Sequence, residues 1–314
     1  MNRIIVANFW ENKELKEMIA DKQDFCFCTY AGGSTYRTFA KNLINDIQKY
    51  APGISIIIFT DKPDDFTTFS HALVYKHERK GVLHYHERRF AIAKALSMFK
   101  SCMYIDADVR ICAPFVRREW LPGITARSCC DMKKHFQKRM DNSNPNLTQV
   151  IRKYNFVKLL AQKIGVDLEQ EEVKWIYEFL FVVTQDSGKE LEFLEYWDKL
   201  ALYCELKGLN KHPAYAMGLA ATKAGLKVRH DVMDGIDFMD DRIEKIRIST
   251  GESQVDTKKT LMQAQYQIEY AKKSLFQEVK TKIITKIEYI YYYFRLAIKT
   301  VIQDYSFYYD SEVF

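Results

Sequence analysis

The sequence predicts an α/β fold in which helices flank a mixed, mostly parallel β-sheet, followed by a C-terminal α-helical extension. Short apolar runs typical of buried strands alternate with amphipathic helical patterns, and this alternation indicates βαβ units. The pattern changes after Gly251, because the chain of 314 residues contains no Gly or Pro beyond that position. We therefore expect a main domain over residues 1–250 and a helical extension over residues 251–314.

The elements of the main domain are predicted from apolar periodicity and from the turn residues between periodic segments. Strands are predicted at residues 25–30, 54–60, 102–105, 175–183 and 226–228. Helices are predicted around residues 39–47 and over residues 87–100, 147–163, 187–207 and 213–224. The run at 54–60 is apolar almost throughout, which suits a strand buried on both faces. Ser187 followed by Glu190 matches a capping box at the start of a helix.

The extension carries an apolar seam on one face of a long helix, or of two helices broken near Val279. The seam residues recur in steps of four and three: Ile283, Ile287, Ile290, Phe294, Ala297 and Val301. Between Lys272 and Lys299, seven basic residues stand against two acidic ones, a net charge of +5. We expect the seam to pack on the main domain or on a second copy of the chain, as most amphipathic stripes do. The alternative is a helix that lies on an anionic membrane.

Composition narrows the class of function. The chain has 47 basic and 41 acidic residues, and its net charge of +6 is too small to predict nucleic-acid binding. Seven Cys without a CxxC pair indicate free thiols in a reducing cytoplasm. The apolar run at residues 4–10 is too short for a signal peptide, and no run is long enough to span a bilayer. We expect a cytoplasmic protein, peripheral to a membrane if the extension binds one.

The segment Asp106-Ala107-Asp108 carries the clearest chemical signal. It directly follows the predicted strand at residues 102–105, and α/β proteins bind ligands at the carboxyl ends of parallel strands. Two carboxylates supply hard oxygen ligands, which suit Mg²⁺ or Mn²⁺ held together with substrate phosphates. The alternative is a pair of solvated Asp residues that cap a turn, but the position after a third buried strand favours a ligand site.

This part of the chain resembles the GT-A-type nucleotide-sugar glycosyltransferases, whose DxD motif follows a helix and a strand as residues 106–108 do here. Residues 29–31 and 58–61 are similar to the ends of the family's first two strands. Residues 176–183 are similar to its acceptor-side strand, and residues 212–228 to its closing helix and strand. The resemblance covers about residues 20–240. It implies a GT-A-like, Rossmann-like catalytic domain.

The resemblance also implies a metal ion, Mn²⁺ or Mg²⁺, that bridges the diphosphate of a nucleotide-sugar donor, which we expect to be a UDP-sugar. Asp108 would bind the metal directly, and Asp106 would bind the ribose or the metal through water. His230 is the candidate third ligand, with an ordinary exposed His as the alternative. The residues implied in nucleotide binding are Thr29, Tyr30, Ala31, Asp61, Arg89, Lys94, Asp106, Ala107 and Asp108. The alternative for Arg89 and Lys94 is a solvated helix face.

Glu178 and His212 are the candidate catalytic residues. Glu178 is a carboxylate in an otherwise apolar strand, so burial would raise its pKa and suit it to accept a proton from an acceptor hydroxyl. Its alternative is an outward-facing position at a strand start. His212 either orients the acceptor or caps the helix that Pro213 begins.

Together these features predict a metal-dependent glycosyltransferase that moves a sugar to a glycan or another hydroxyl acceptor. One alternative is a haloacid-dehalogenase-like phosphatase with Asp106 as its nucleophile, in which residues 235–241 imitate the late acidic motif. That family places its DxD near the start of the domain, with a Thr two residues after the second Asp, where this chain has Arg110. A second alternative is a non-enzymatic binding or scaffold protein that acts through the C-terminal helix.

Overall fold

The structure, a computed structural model, describes residues 23–141, 144–209, 211–271 and 274–309. The apolar run at residues 4–10 and the basic pair at residues 272–273 lie outside these ranges. The strands are β1 (Gln23–Ala31), β2 (Ile56–Thr60), β3 (Ala72–Lys76), β4 (Phe99–Ile105), β5 (Arg110–Ile111), β6 (Gly123–Ala126), β7 (Cys129–Asp131), β8 (Lys174–Ile176), β9 (Leu180–Thr184), β10 (Val228–His230) and β11 (Phe238–Met239). The α-helices are α1 (Ser34–Tyr50), α2 (Arg88–Met98), α3 (Met132–Gln137), α4 (Leu147–Lys163), α5 (Lys189–Leu206), α6 (Pro213–Lys223), α7 (Asp241–Ser249), α8 (Val255–Glu269) and α9 (Leu275–Tyr309).

Seven strands form the central sheet in the order β3-β2-β1-β4-β9-β6-β10. β9 runs antiparallel to both of its neighbours, and the other pairs are parallel. Every residue of β2 is buried, which confirms the prediction of a strand covered on both faces. The predicted α/β class with a mixed, mostly parallel sheet is therefore confirmed.

Each central strand contributes to two hydrophobic cores, because successive side chains of a strand point to opposite faces. Cys28 and Ile57 lie in the core that α2, α5 and α6 cover. Phe27 and Ile58 lie in the core on the other face, which α1 covers. The main domain thus has three layers, with the sheet between two layers of helices.

Several predicted boundaries differ from the structure. The predicted strand at residues 175–183 divides into β8, which pairs with β7, and β9, which joins the central sheet. Ser187 has a φ of 55° and does not cap α5, whose N-cap is Gly188. The other half of the capping box is present, because Glu190 Oε2 accepts the backbone N–H groups of Asp186 at 2.8 Å and Gly188 at 3.1 Å.

The extension docks on the main domain through α8 and the C-terminal half of α9, whereas the side chains from Phe276 to Tyr291 are all exposed. α8 packs against α1 and α9 packs against α5. α8 ends at Glu269, α9 begins at Leu275, and α9 continues through Val279, so the predicted break near Val279 is wrong. Leu296 and Tyr308 are the apolar side chains of α9 that are almost fully buried.

The predicted seam does not face the main domain. Five of its six residues are 47–68% exposed: Ile283, Ile287, Ile290, Phe294 and Val301. The prediction that the seam packs on the main domain is therefore wrong, because a different face of α9, centred on Leu296, makes that contact. Within the described ranges, every helix is too short or too polar to cross a bilayer.

Candidate active site

β1 and β4 are neighbours at the centre of the sheet, and the strand order reverses between them. β2 and β3 extend the sheet beyond β1, whereas β9, β6 and β10 extend it beyond β4. In an open α/β sheet, the crevice outside the carboxyl ends at such a reversal is the usual ligand site. β1 ends in residues 29–31, and Asp106 follows the end of β4, so both predicted segments border this crevice.

Asp106 belongs to a network that joins three elements. Its Oδ1 accepts a hydrogen bond from the Tyr104 hydroxyl at 3.0 Å and lies 3.4 Å from Arg88 Nη2. Arg88 Nη1 donates to the carbonyl oxygen of Glu178 at 2.6 Å. Burial raises the pKa of Asp106, and the positive charge of Arg88 opposes that rise. Arg88, at the start of α2, thus ties the DxD segment to the turn before β9.

The two-stranded sheet β5–β11 brings a third carboxylate to the DxD segment. β5 begins two residues after Asp108, and its Arg110 pairs with Met239 of β11. The next residue is Asp240, which is buried and caps the N-terminus of α7 with its side chain. A residue distant in sequence is therefore fixed beside the motif by strand pairing and helix capping.

Burial is the main reason that Asp108 holds its proton tightly. It raises the pKa of Asp108 to about 7, the charges of Asp106 and Asp240 add to the rise, and the charge of Arg242 opposes it. Like charges disfavour ionisation, and a nearby cation reverses this effect. The site therefore offers hard oxygen ligands, which suit a divalent cation.

The carboxylates do not form a complete metal centre by themselves. Within the described ranges, no group of three or more His, Cys, Asp and Glu side chains is placed to hold a metal ion. Mg²⁺ is commonly bound by one or two carboxylates together with substrate phosphates. Asp106 and Asp108 fit that kind of site, in which the ligand's phosphates complete the coordination.

Glu178 lies in the turn between β8 and β9, beside the DxD segment. Leu180 of β9 is opposite Ile105 of β4 in the antiparallel register, so the start of β9 meets the end of β4. Burial raises the pKa of Glu178, Arg88 opposes the rise, and Asp106 adds to it. The structure thus brings Glu178 to the site, and its role as a proton acceptor stays a prediction.

The end of β1 presents little side-chain surface. Thr29, Tyr30 and Ala31 are all buried. The Tyr30 hydroxyl and His84 Nδ1 form a hydrogen bond of 2.7 Å, and the Ala31 carbonyl accepts one from the Thr60 hydroxyl at 2.8 Å. Contacts of this strand end with a nucleoside would therefore depend chiefly on its shape and backbone.

Asp61 fixes the loop that leads into α1. Both of its carboxylate oxygens lie 2.7 Å from Arg37 Nη1, and Oδ1 accepts the N–H of Gly33 at 3.1 Å. Gly33 has a φ of 84°, which glycine adopts without strain. Although burial opposes it, the hydrogen bonds from Arg37 and Gly33 hold the pKa of Asp61 below its usual range. Asp61 is thus ionised and shapes the border of the crevice.

Arg88, not the predicted Arg89, contacts the DxD segment. Arg89 donates from Nε to Asp198 Oδ1 at 2.7 Å, and its Nη2 lies at the same distance from that oxygen. Successive helix residues differ by about 100° around the axis, so adjacent Arg residues point in different directions. The contact with Asp198 of α5 replaces the predicted contact of Arg89 with the donor.

Lys94 and His230 also lie away from the DxD segment. The Lys94 ammonium is 5.0 Å from the centre of the Tyr75 ring, on the edge strand β3. His230 is exposed at the end of β10, the opposite edge of the sheet and three strands from β4. The structure does not bring His230 together with Asp106 and Asp108 as a third ligand, and Asp240 lies nearer to them.

His212 is the N-cap residue of α6, as its alternative assignment expected, but its side chain makes no capping hydrogen bond. Its ring centre lies 6.0 Å from that of Tyr215. Burial lowers the pKa of His212 to about 4, and the positive charge of Lys153 adds to this effect. The imidazole is therefore neutral near pH 7 and is able to accept a hydrogen bond. Burial raises the pKa of Tyr215, the charge of Arg139 opposes the rise, and the charge of Glu178 adds to it.

Two further residues at the DxD segment come from unexpected elements. Gln265 of α8 donates from Nε2 to the backbone carbonyl of Asp108, and its Oε1 is buried without a partner in the described part of the chain. Tyr36 of α1 is half-exposed, and burial followed by the charge of Asp108 raises its pKa to about 12. The predicted boundary at Gly251 therefore does not separate the site from the extension. Nothing in the sequence signals Gln265, and the acidic run at residues 235–241 is interpreted only as an imitation of a phosphatase motif, without singling out Asp240.

Comparison with known proteins identifies no family for this chain. No family model matches it, and no curated protein matches it. The functional assignment therefore depends on the geometry of the site.

Proposed function

We propose that the protein is a metal-dependent, GT-A-like glycosyltransferase that uses a nucleotide-sugar donor, which we expect to be a UDP-sugar. The observation that carries this proposal is the cluster of Asp106, Asp108 and Asp240 beside the reversal of strand order between β1 and β4. Asp108 is a partly buried carboxylate whose pKa is raised to about 7, first by burial and then by Asp106 and Asp240, and a carboxylate perturbed in this way is a candidate for a functional site. Mn²⁺ or Mg²⁺ bound together with a diphosphate suits such carboxylates.

Asp106 and Asp108 are the residues that would hold the metal. When bound, the ion neutralises the charge that develops on the departing nucleoside diphosphate. Tyr104 and Arg88 hold Asp106 in one orientation, so little ordering of that side chain remains for ligand binding. Gln265 holds the backbone of Asp108 from the other side.

Glu178, His212 and Tyr215 form the acceptor side of the proposed site. Arg88 fixes the backbone of Glu178, which places the carboxylate next to the DxD segment. The raised pKa of Glu178 brings its proton affinity closer to the working pH, as general base catalysis requires. Neutral His212 supplies a hydrogen-bonding group for a hydroxyl acceptor such as a glycan.

A phosphatase with Asp106 as nucleophile is the second candidate, because the acidic run at residues 235–241 brings Asp240 close enough for its charge to raise the pKa of Asp106. Two observations favour sugar transfer. The motif follows the fourth strand in chain order, and Arg110 stands two residues after Asp108 with its guanidinium bound to Asp46 at 2.6 and 2.8 Å. That position therefore offers no hydroxyl to a phosphoryl group.

Thermal unfolding with nucleoside diphosphates tests the proposal. A ligand at a hundred times its Kd stabilises the native state by about 2.7 kcal/mol. We expect UDP to raise Tm only when Mn²⁺ or Mg²⁺ is present, and Asp108→Asn to remove that rise. Asp241→Asn is the matched control, because Asp241 is a neighbouring carboxylate that pairs with Lys245 instead. The proposal fails if no nucleoside diphosphate gives a metal-dependent shift.

A further inference from the structure

The C-terminal half of helix α9 has one face covered by the main domain. Leu296 and Thr300 are buried, and the Tyr292 ring lies 3.8 Å from the Arg79 guanidinium. At about 100° per residue, these three helix residues share one side of α9. Arg295 adds a hydrogen bond of 2.8 Å from Nη2 to the Arg79 carbonyl. The orientation of α9 about its own axis is thus fixed.

The opposite side of α9 is a continuous apolar face in solvent. Six residues on it are 47–68% exposed: Ile283, Ile287, Ile290, Phe294, Ile298 and Val301. With Ile284 and Ile302, which are also exposed, this apolar face spans roughly 120° of the circumference and about 30 Å of length. Monomeric proteins rarely expose apolar patches of this size unless they serve an interaction.

The charges of α9 are arranged for a negative partner. Lys280 and Lys286 are exposed, and on the helical projection Lys280 lies within the apolar face and Lys286 lies beside it. The acidic Glu288 is turned toward the main domain, where its Oε2 lies 3.6 Å from Arg79 Nη2. Lysines beside an exposed apolar helix face are the features by which a helix binds an anionic lipid surface.

A second copy of α9 is a poorer match for this face than a bilayer. A coiled coil uses a narrow seam of two positions per heptad, flanked by complementary charges. Here Ile284 and Tyr291 flank one side of the seam, and Lys286 and Tyr293 flank the other. No acidic residue occupies a flanking position opposite Lys286, whereas Tyr rings suit the headgroup region of a bilayer.

We propose that α9 lies on the surface of an anionic lipid bilayer, with the apolar face inserted among the acyl chains and Lys280 and Lys286 at the headgroups. The main domain covers the opposite face of the C-terminal half of α9, so it sits on the water side of the membrane. The inference rests on α9 alone and does not depend on sugar transfer.

Flotation of the full chain with lipid vesicles tests this inference. We expect binding to vesicles that contain phosphatidylglycerol, weaker binding to pure phosphatidylcholine, and a loss of binding at high salt. Replacing Lys280 and Lys286 by Gln should lower the partition coefficient about fivefold for each lysine. Ile287→Asp combined with Phe294→Asp should abolish binding, whereas Ile151→Asp, at an exposed position of α4, should not change it.

The Ile287→Asp, Phe294→Asp variant should keep its circular dichroism spectrum and any nucleotide-dependent thermal shift, because both side chains are exposed. Failure of membrane binding is thereby distinguished from failure of the proposed enzymatic function. The inference is wrong if the wild-type chain binds neither kind of vesicle. It is also wrong if the wild type is a dimer, measured by sedimentation, that the same variant converts to a monomer without any vesicle binding.

Discussion

Glu205→Gln should stabilise the protein above pH 7 and leave its stability nearly unchanged below pH 5. Glu205 is 1% exposed in the last turn of α5. Its Oε2 accepts the backbone N–H groups of Val82 at 2.6 Å and Leu83 at 3.0 Å, which fixes the loop before α2. Burial raises the pKa of Glu205 to about 7. Glu205 also lies near the negative end of the helix dipole, which raises its pKa further.

The sign of the effect follows from proton linkage. The folded protein holds the proton of Glu205 more tightly than the unfolded chain, whose carboxyl has an ordinary pKa of 4.5. The free energy of unfolding therefore falls as pH rises from about 4.5 through about 7, by on the order of 3 kcal/mol in total. Gln keeps an oxygen that accepts both N–H groups but does not ionise. At pH 8 we expect the variant to be more stable by up to about 3 kcal/mol, or about 4 °C in Tm.

Urea unfolding of both proteins between pH 4.5 and 8.5 measures this difference. Glu190→Gln is a matched control, because Glu190 is also buried on α5 and accepts two backbone N–H groups. Glu190 lies in the first turn, where the helix dipole favours a negative charge, so its replacement should lose stability. The reasoning is refuted if Glu205→Gln is less stable than the wild type at pH 8, or if its advantage does not grow with pH.

Three further changes test the site and the packing. Arg88→Gln should destabilise the fold by about 2–4 kcal/mol and abolish metal-dependent nucleotide binding. Arg89→Gln should lower stability without changing nucleotide binding. Calorimetric titration with UDP and Mn²⁺ distinguishes the two variants. Gly218→Ala should cost more than about 3 kcal/mol in a denaturant titration, because a Cβ would lie 1.8 Å from a carbonyl oxygen of β8. The control is Gly188→Ala, where the added Cβ contacts no other atom. Only the positive φ of that residue should lower the free energy of unfolding, by about 1–2 kcal/mol. Gln265→Ala should weaken metal-dependent nucleotide binding with little change in Tm. If this variant binds the nucleotide as tightly as the wild type does, α8 is not part of the site.

The sequence predicted those parts of the fold that depend on local pattern. The run that forms β2 is almost entirely apolar and is bounded by turn residues. The sequence therefore predicts that both faces of this strand are buried. The position of Asp106 at a strand end followed from the same pattern. β3 was missed because its side chains are only partly buried at the sheet edge, and β6 because it is four residues long.

The parts of the site that escaped prediction depend on contacts between distant residues or on helix phase. A shift of one residue along α2 decides whether Arg88 or Arg89 faces Asp106. Apolar periodicity does not predict the rotation of a helix to within one residue. Asp240 reaches the DxD segment only through the pairing of β5 with β11. His230 was chosen for its place after the last predicted strand, but β10 lies at the edge of the sheet.

Turnover of nucleotide-sugars tests the central claim most directly. We expect the protein to release UDP from a UDP-sugar in the presence of Mn²⁺ or Mg²⁺, and to lose this activity with chelator and in Asp108→Asn but not in Asp241→Asn. Metal-independent release, or equal release by Asp108→Asn, would contradict the account. Hydrolysis of p-nitrophenyl phosphate that is lost in Asp106→Asn, with no turnover of any nucleotide-sugar, would establish the phosphatase instead.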